Sequence, residues 1–430
     1  MNSASPGATP SGPFEVHSVH FDFPGGQAVR LQDVASDQPI GESPEWVEFS
    51  RNEPVAYVRN TRPHVRVVFS GSPNSNGIYS IGADGAIGVE ERRVEVAFDT
   101  VSGLSDPLEF RLRKRLPNRI GVHDAELRWY ARSPAESPYS GQIGNSPHRF
   151  YTTWAAMTLN LRQGLQRWTY KPIVEWTCEW ASGLDDEKDI CDAIMAGLTE
   201  SNLRYGHRVR GEDAVRSFLL NGGGMCGEWY RVFQHMAHCQ GVYVHRRAFL
   251  VDWRHDANGE ARWCAMVIRR GGLNQLEPTH PESDFHDNDA GYPIETQVPL
   301  VIRRERRYQF FGSPVSGVLV DGHCINFLVY CGRLYLYDAC FGLGPIEIDS
   351  PLPTPDLNVA KGGNDLASFK TRYLDIAVDY MLGSLYNGPD FHRCMHPSVG
   401  ILGGNGMTVK TRLIADSVNG SDGVTFFWSD

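Results

Sequence analysis

The chain reads as an α+β protein: a β-sandwich, then a core in which a helix carrying a cysteine packs on an antiparallel sheet carrying a histidine and an aspartate. Three observations lead there. Residues 14 to about 140 alternate apolar and polar side chains in short runs separated by Gly, Pro, Asn and Asp. After residue 184 the apolar period lengthens to three or four, the repeat of a half-buried helix. From Gly322 to Gly342 it returns to two, around a short turn.

In chain order, residues 1–13 are small and polar and read as disordered. "HVRVVFSG" (64–71), "RRVEVAFD" (92–99), "LEFRLRKRL" (108–116) and "DAELRWYARS" (124–133) are strands of the sandwich, residues 14–140. "ARSPAESPYSGQIGNSPH" (131–148) is rich in Pro, Ser and Gly and reads as a linker. Residues 141–345 form the second domain, and 346–430 an extension packed on it. "DDEKDICDAIMAGLTESNLRYG" opens acidic, as a helix N-terminus favours, and stops at Gly206. "EDAVRSFLLNGGG" is a shorter helix stopped by glycine. From Cys226, Trp229, Phe233 and Met236 recur on one face of a helix ending at Gly241. Strands "VYVHRRAFLVDW" and "ARWCAMVIRR" flank a hairpin turn at Asn258-Gly259. Residues 273–299 form a long acidic loop, a hairpin follows over 319–341, and Ser368–Tyr386 reads as a late helix.

Composition bounds the function. Of 430 residues, 41% are hydrophobic and 21% charged, as in ordinary globular proteins. A net charge of -10 argues against nucleic acid as a partner. The run Arg303, Arg304, Arg306 and Arg307 is a solvated face. The nine cysteines contain no CxxC pair, no secretory segment opens the chain, and no apolar run spans a membrane. The expectation is a cytoplasmic protein without membrane attachment. No phosphate-cradling glycine motif occurs. "DFHDNDAG" (284–291) lacks the last ligand of a calcium loop, and His235, His238 and His245 match no zinc spacing. No cofactor or metal is expected.

In "GGGMCGEWYRVFQHMAHCQGV" a cysteine stands one residue after three glycines and opens a helix. A thiolate attacks and a thiol hardly does, and the amides and dipole of a helix start stabilise the thiolate. The glycines, Gly224 among them, let the backbone turn and leave room for substrate; nearby amides can receive an oxyanion. Cys226 is the nucleophile candidate.

A base lies in "GHCINFLVYCGRLYLYDACFG". If Cys331-Gly332 is a two-residue turn, Tyr330 pairs with Arg333, Phe327 with Leu336 and Ile325 with Asp338. One face then holds Ile325, Phe327, Val329, Leu334 and Leu336, with His323 and Asp338 diagonal neighbours at its far end. The other face, with Asn326, Leu328, Tyr335 and Tyr337, suits partial exposure. A carboxylate that orients a neutral histidine is the base a thiol needs. Convergence on Cys226 requires its helix to pack on the apolar face.

The cysteine block "GMCGEWYRVFQHMAHCQGVYVHRR", the histidine–aspartate block "DGHCINFLVYCGRLYLYDACFG" and the preceding helix "ICDAIMAGLTESNLRYG" together resemble the transglutaminase-like superfamily over residues 150–345. The resemblance implies a papain-like core with Cys226 as nucleophile, His323 as base and Asp338 as orienter. It implies acyl transfer on an amide of a protein or peptide through a thioester, released to water or an amine. Here "HCINF" replaces the family's aromatic pair after the histidine. Trp176, Trp180 and Tyr205 are the upstream oxyanion candidates; Trp180, Tyr205, Gly224 and Trp229 are the substrate-binding set. The competing readings are an inactive scaffold that binds a partner protein and an acyltransferase acting on small molecules.

Overall fold

The structure is a computed structural model. It describes residues 12–22, 28–40, 45–133, 140–157, 168–205, 214–224, 226–251, 254–255, 261–269, 307–310, 313–320, 322–340, 342–348, 378–386 and 424–425. The fold is mixed α+β, rich in strands, with several sheets and few helices. It divides into two units: 1–190 with 236–242, and 191–235 with 243–430. The boundaries fall within two helices, after Ile190 and after His235.

The first unit contains β1 (Glu15–Phe21), β2 (Ala28–Gln32), β3 (Pro39–Ile40), β4 (Trp46–Val47), β5 (Arg51–Asn52), β6 (Val55–Val58), β7 (His64–Ser70), β8 (Gly77–Asp84), β9 (Val89–Val96), β10 (Leu108–Arg111), β11 (Gly121–Arg132), β12 (Ser140–Thr153), β13 (Trp168–Tyr170) and α1 (Lys171–Trp180). Sheet order is β10-β7-β1-β4-β5 in one layer and β13-β2-β6-β12-β11-β8-β9 in the other, with β3 on β2. Val19, Val67 and Phe69 of the first layer share a single buried core with Ile81, Trp129 and Phe150 of the second. Alternation places them there: in β7, Val65, Val67 and Phe69 are buried while His64 and Arg66 face solvent.

The stretch expected as a linker is instead mostly strand. β11 ends at Arg132 and β12 begins at Ser140, and the two pair from Gly121↔Thr152 to Arg132↔Ser140. Pro147, which suggested a break, lies where β12 has no β6 neighbour, because that pairing begins at Phe150↔Val55. Proline is tolerated on such an edge. His148 points into the core, edge-on to Phe21 at 5.0 Å. Its Nε2 lies 2.8 Å from the Ser146 hydroxyl, which also accepts from Trp129 Nε1 at 2.8 Å.

The second unit begins within α2 (Glu187–Glu200), which ends before Ser201 rather than at Gly206. Then come β14 (Arg204–Tyr205), α3 (Ala214–Asn221), β15 (Gly223–Gly224), α4 (Cys226–Cys239), β16 (His245–Val251), β17 (Arg254–His255), β18 (Ala261–Arg269), β19 (Arg307–Phe310), β20 (Ser313–Val320), β21 (Gly322–Tyr330), β22 (Arg333–Asp338), β23 (Leu343–Ile348), β24 (Val378–Tyr386) and β25 (Val424–Thr425). One sheet runs β23-β22-β21-β16-β25; the other runs β17-β18-β20-β19, with β24 on β18.

α3 stops at Gly222 in the left-handed region, φ 67. α4 stops at Gly241, φ 84, where Val242 N–H bonds Ala237 O at 3.0 Å and Gly241 N–H bonds His238 O at 2.9 Å. That pair of bonds is a glycine C-cap. A Cβ on Gly241 would also lie 2.7 Å from Ala155 Cβ, so only glycine fits twice over.

Two expectations are overturned. β16 pairs with β21, from His245↔Phe327 to Leu250↔Gly322, and not with β18; the hairpin partner of β18 is the short β17. The Asn258-Gly259 turn itself lies outside the described residues. The C-terminal half of the late helix is β24, which pairs along β18 from Ala261↔Tyr386 to Ile268↔Val378. Pairing along an entire strand overrides a local helical repeat. Residues 1–11, the 273–299 loop with "DFHDNDAG", and most of 346–430 lie outside the described residues.

The β21–β22 hairpin keeps the expected register: Tyr330↔Arg333, Val329↔Leu334 and Phe327↔Leu336. Cys331 (φ 50) and Gly332 (φ 73) are both left-handed, as a type I′ turn requires. Cysteine is a poor first residue for that turn and asparagine a good one. Cys331→Asn is expected to stabilise the protein by about 0.5–1 kcal/mol, read as a higher urea midpoint.

Burial holds His148 neutral, with its pKa lowered from 6.5 to about 3. The unfolded chain takes up a proton below pH 6.5 while the folded state does not until about pH 3. Stability contributed through His148 is therefore complete above pH 6.5 and lost progressively as pH falls through this window, at up to about 1.4 kcal/mol per pH unit. Urea midpoints measured from pH 7 down to 4 should fall less steeply for His148→Phe than for the unaltered protein.

Candidate active site

β14 and β15 lie side by side, Arg204↔Gly223 and Tyr205↔Gly224, immediately before α4. A Cβ on Gly224 would meet Glu228 Cβ at 2.7 Å and Phe218 Cδ2 at 3.2 Å. Gly224 is therefore glycine because the first turn of α4 and the end of α3 press against it. The helix that follows opens with Cys226 as its first residue. This is the local geometry expected of a thiol at a helix N-terminus.

Among the upstream aromatic candidates, the fold puts Tyr205 beside Gly224 in the ladder. Trp176 and Trp180 lie in α1, stacked on each other at 5.9 Å. Trp229 is a core residue, fully buried, edge-on to Phe218 at 4.8 Å. Its Nε1 has no hydrogen-bond partner.

On the sheet, His323 lies in β21 opposite Phe249 of β16. Asp338 ends β22 and is completely buried. The β21–β22 ladder pairs Phe327↔Leu336 and Asn326↔Tyr337, so residues 323 and 338 lie at the same end of it. The side chains of Cys226, His323 and Tyr205 lie outside the described residues.

The other face differs from expectation. Asn326, Leu328, Tyr335 and Tyr337 are buried, not partly exposed. Helices cover that face: Phe233 of α4 stacks on Tyr337 with ring centroids 5.1 Å apart, and the Tyr337 hydroxyl donates to Asp192 of α2 at 2.7 Å. Burial, then Cys191 and Asp192, push the Tyr337 phenol pKa well up, so it stays a donor. At Phe233, then, α4 meets the His323–Asp338 end of the hairpin from the Tyr337 side, not from the Phe327 side.

Two further cysteines are inert by burial. The Cys178 thiol is pushed up to about 12, and that of Cys239 is also pushed up. Cys331, at the hairpin tip, is exposed. Among the described residues no cluster of three or more His, Cys, Asp or Glu could hold a metal ion, and no helix is long and apolar enough to cross a membrane.

Sequence reasoning marked Asn326 as unusual but missed its setting. It is completely buried opposite Tyr337, and neither its Nδ2 nor its Oδ1 has a partner. Burying such a group costs about 1–3 kcal/mol. Asn326→Leu, which keeps the branched shape without the polar atoms, should therefore raise stability by about 1–3 kcal/mol, visible as a higher urea midpoint with an unchanged slope.

No protein-family model matches the chain. Nor does any curated protein. Among solved structures it is similar to the periplasmic domain of TgpA from Pseudomonas aeruginosa, crystallised bound to ethylmercury. The match covers 77% of this chain and 92% of that one, at 10% identity and a TM-score of 0.21. A TM-score this low does not establish a common fold.

Proposed function

We propose that the second unit carries out cysteine-dependent acyl transfer on an amide, in a protein or peptide substrate. His323 takes the thiol proton of Cys226, and the sulfur adds to the amide carbonyl carbon. The C–N bond breaks as the imidazolium protonates the departing amine, leaving a thioester. Water or a second amine then attacks the thioester, gives its proton to His323, and releases the thiol. Asp338 holds the imidazole in the tautomer that accepts from sulfur. Hydrolysis is favoured over cross-linking, because no feature of the chain marks an amine-acceptor site.

One observation carries this reading. Cys226 opens α4, Phe233 of that helix stacks on Tyr337, and Tyr337 precedes the completely buried Asp338 at the end of β22. A buried carboxylate is costly unless it is bonded, and in this reading the His323 imidazole N–H is its donor. Asp338 does have an interaction in the fold. The second reading, an inactive scaffold that binds a partner, is favoured by Phe233 meeting the sheet from the Tyr337 side.

Iodoacetamide labelling at pH 6 separates the two, with the exposed Cys331 as internal reference. Acyl transfer predicts that Cys226 is alkylated at least about tenfold faster than Cys331, and that His323→Ala removes most of the advantage. Equal rates at the two cysteines would remove the basis for an activated thiolate and leave the scaffold.

A further inference from the structure

Phe49 breaks two rules at once. It sits at the β4–β5 turn, where Ser50 N–H bonds Val47 O at 3.1 Å. Its φ is 58, so the turn is of type II with Phe49 at the position that favours glycine or asparagine. Its side chain is also 100% exposed. A bulky residue in the left-handed region costs about 1–2 kcal/mol, and a solvated phenyl gains nothing from burial. Strain and wasted apolar surface at one residue point to a functional constraint.

A second exposed tip lies at the same end of the sandwich. Val101 is 93% exposed in the loop between β9 and β10. That loop is rigid: Asp99 Oδ1 accepts from Val101 N–H at 3.0 Å and Ser102 N–H at 2.7 Å, and Gly103 N–H bonds Asp99 O at 2.9 Å. It is tied to the end of β7 by Gly71 N–H to Gly103 O at 2.9 Å. The Phe49 turn is tied to the start of β1 by Glu48 N–H to His17 O at 3.0 Å. The Val101 loop is held on the β10 side of β7, and β10, β7, β1 and β4 follow one another in one sheet, so the tips stand about 15 Å apart, three strand spacings. Neither needs to reorganise to make contact.

The charge around them is acidic. Glu48 precedes Phe49, and Glu15, after burial, helps to raise the Glu48 pKa while His17 lowers it; with Asp99, these carboxylates outnumber the exposed Arg51 two residues beyond Phe49. Asp99 lies two residues from Val101. A symmetric contact with a second copy would oppose carboxylates to carboxylates, and an anionic membrane would repel them.

We propose that this end of the sandwich docks a partner protein through Phe49 and Val101, and that the partner presents apolar sockets bordered by lysine or arginine. The two side chains are the anchors; the carboxylates select the partner's charge.

The test uses the full chain. Benzoylphenylalanine replaces Phe49, and irradiation in a lysate of the cells that express the protein yields a crosslinked polypeptide, which is identified and purified. It is then titrated against the unaltered chain and against Phe49→Asn and Val101→Asn. Asparagine suits φ 58, so Phe49→Asn keeps or raises the melting temperature, and lost binding is not lost folding. The expected result is a Kd at least about tenfold weaker for each variant and affinity that falls as salt rises. Four results overturn the proposal: no crosslinked polypeptide, a crosslink within the chain itself, unchanged affinity in both variants, or Phe49-dependent binding to phosphatidylcholine–phosphatidylserine vesicles. Concentration-dependent self-association abolished by Phe49→Asn would overturn it as well.

Discussion

In the β21–β22 ladder a slip of one residue would bring Tyr337 onto the face of Phe327 and send Asp338 to the other. The chemistry proposed for the second unit depends on that slip not occurring. Two devices prevent it. The turn at Cys331-Gly332 leaves both residues left-handed, which closes the hairpin with two residues and no other number. At the Asp338 end both faces of the ladder are also buried, so a slip would move the Asp338 carboxylate out of its place. Register is specified most strongly where neither face can accept the wrong side chains.

The same burial produces the unit's weakest points. Asn326 and Trp229 are enclosed with polar atoms unpaired, one on the strand that carries His323 and the other one turn after Cys226. The sandwich pairs part of its buried polar inventory: Trp129, Ser146 and His148 form a chain of bonds, and Glu45 accepts from Phe21 N–H at 2.8 Å. It too keeps unpaired atoms, at Glu45 Oε1, His148 Nδ1 and the Tyr151 hydroxyl, so orphaned groups are not confined to the second unit.

Local chemistry was legible in the sequence; distant pairing was not. Alternation marked β7, β10 and β11, the glycines marked the ends of α3 and α4, and the Cys331-Gly332 pair set the hairpin register. Each depends on residues within a few positions of one another. The failures share the opposite property. β24 pairs with a strand more than a hundred residues earlier, β16 bypasses the nearby β18 for β21, and β12 hides behind a composition typical of loops. Proline and glycine in β12 are acceptable only because its neighbour is missing at that point, which no local pattern records. At the candidate site, Cys226 at a helix start and the register of the β21–β22 hairpin could be read in advance. The side from which α4 approaches could not, because it depends on how Phe233 meets Tyr337.

Cys331 and Phe49, each a left-handed residue in a hairpin turn, carry the same backbone cost, but they do not call for the same explanation. At Cys331 the cost falls on a small side chain, and the turn returns something: it fixes the register on which Asp338 depends. At Phe49 the turn joins strands of only two residues each, so little register is at stake, and glycine or asparagine would close it better. Folding therefore accounts for the left-handed backbone at residue 331 and leaves the phenyl at residue 49 without a folding role. What remains for that side chain is contact with something outside the chain, at the rigid acidic end of the sandwich.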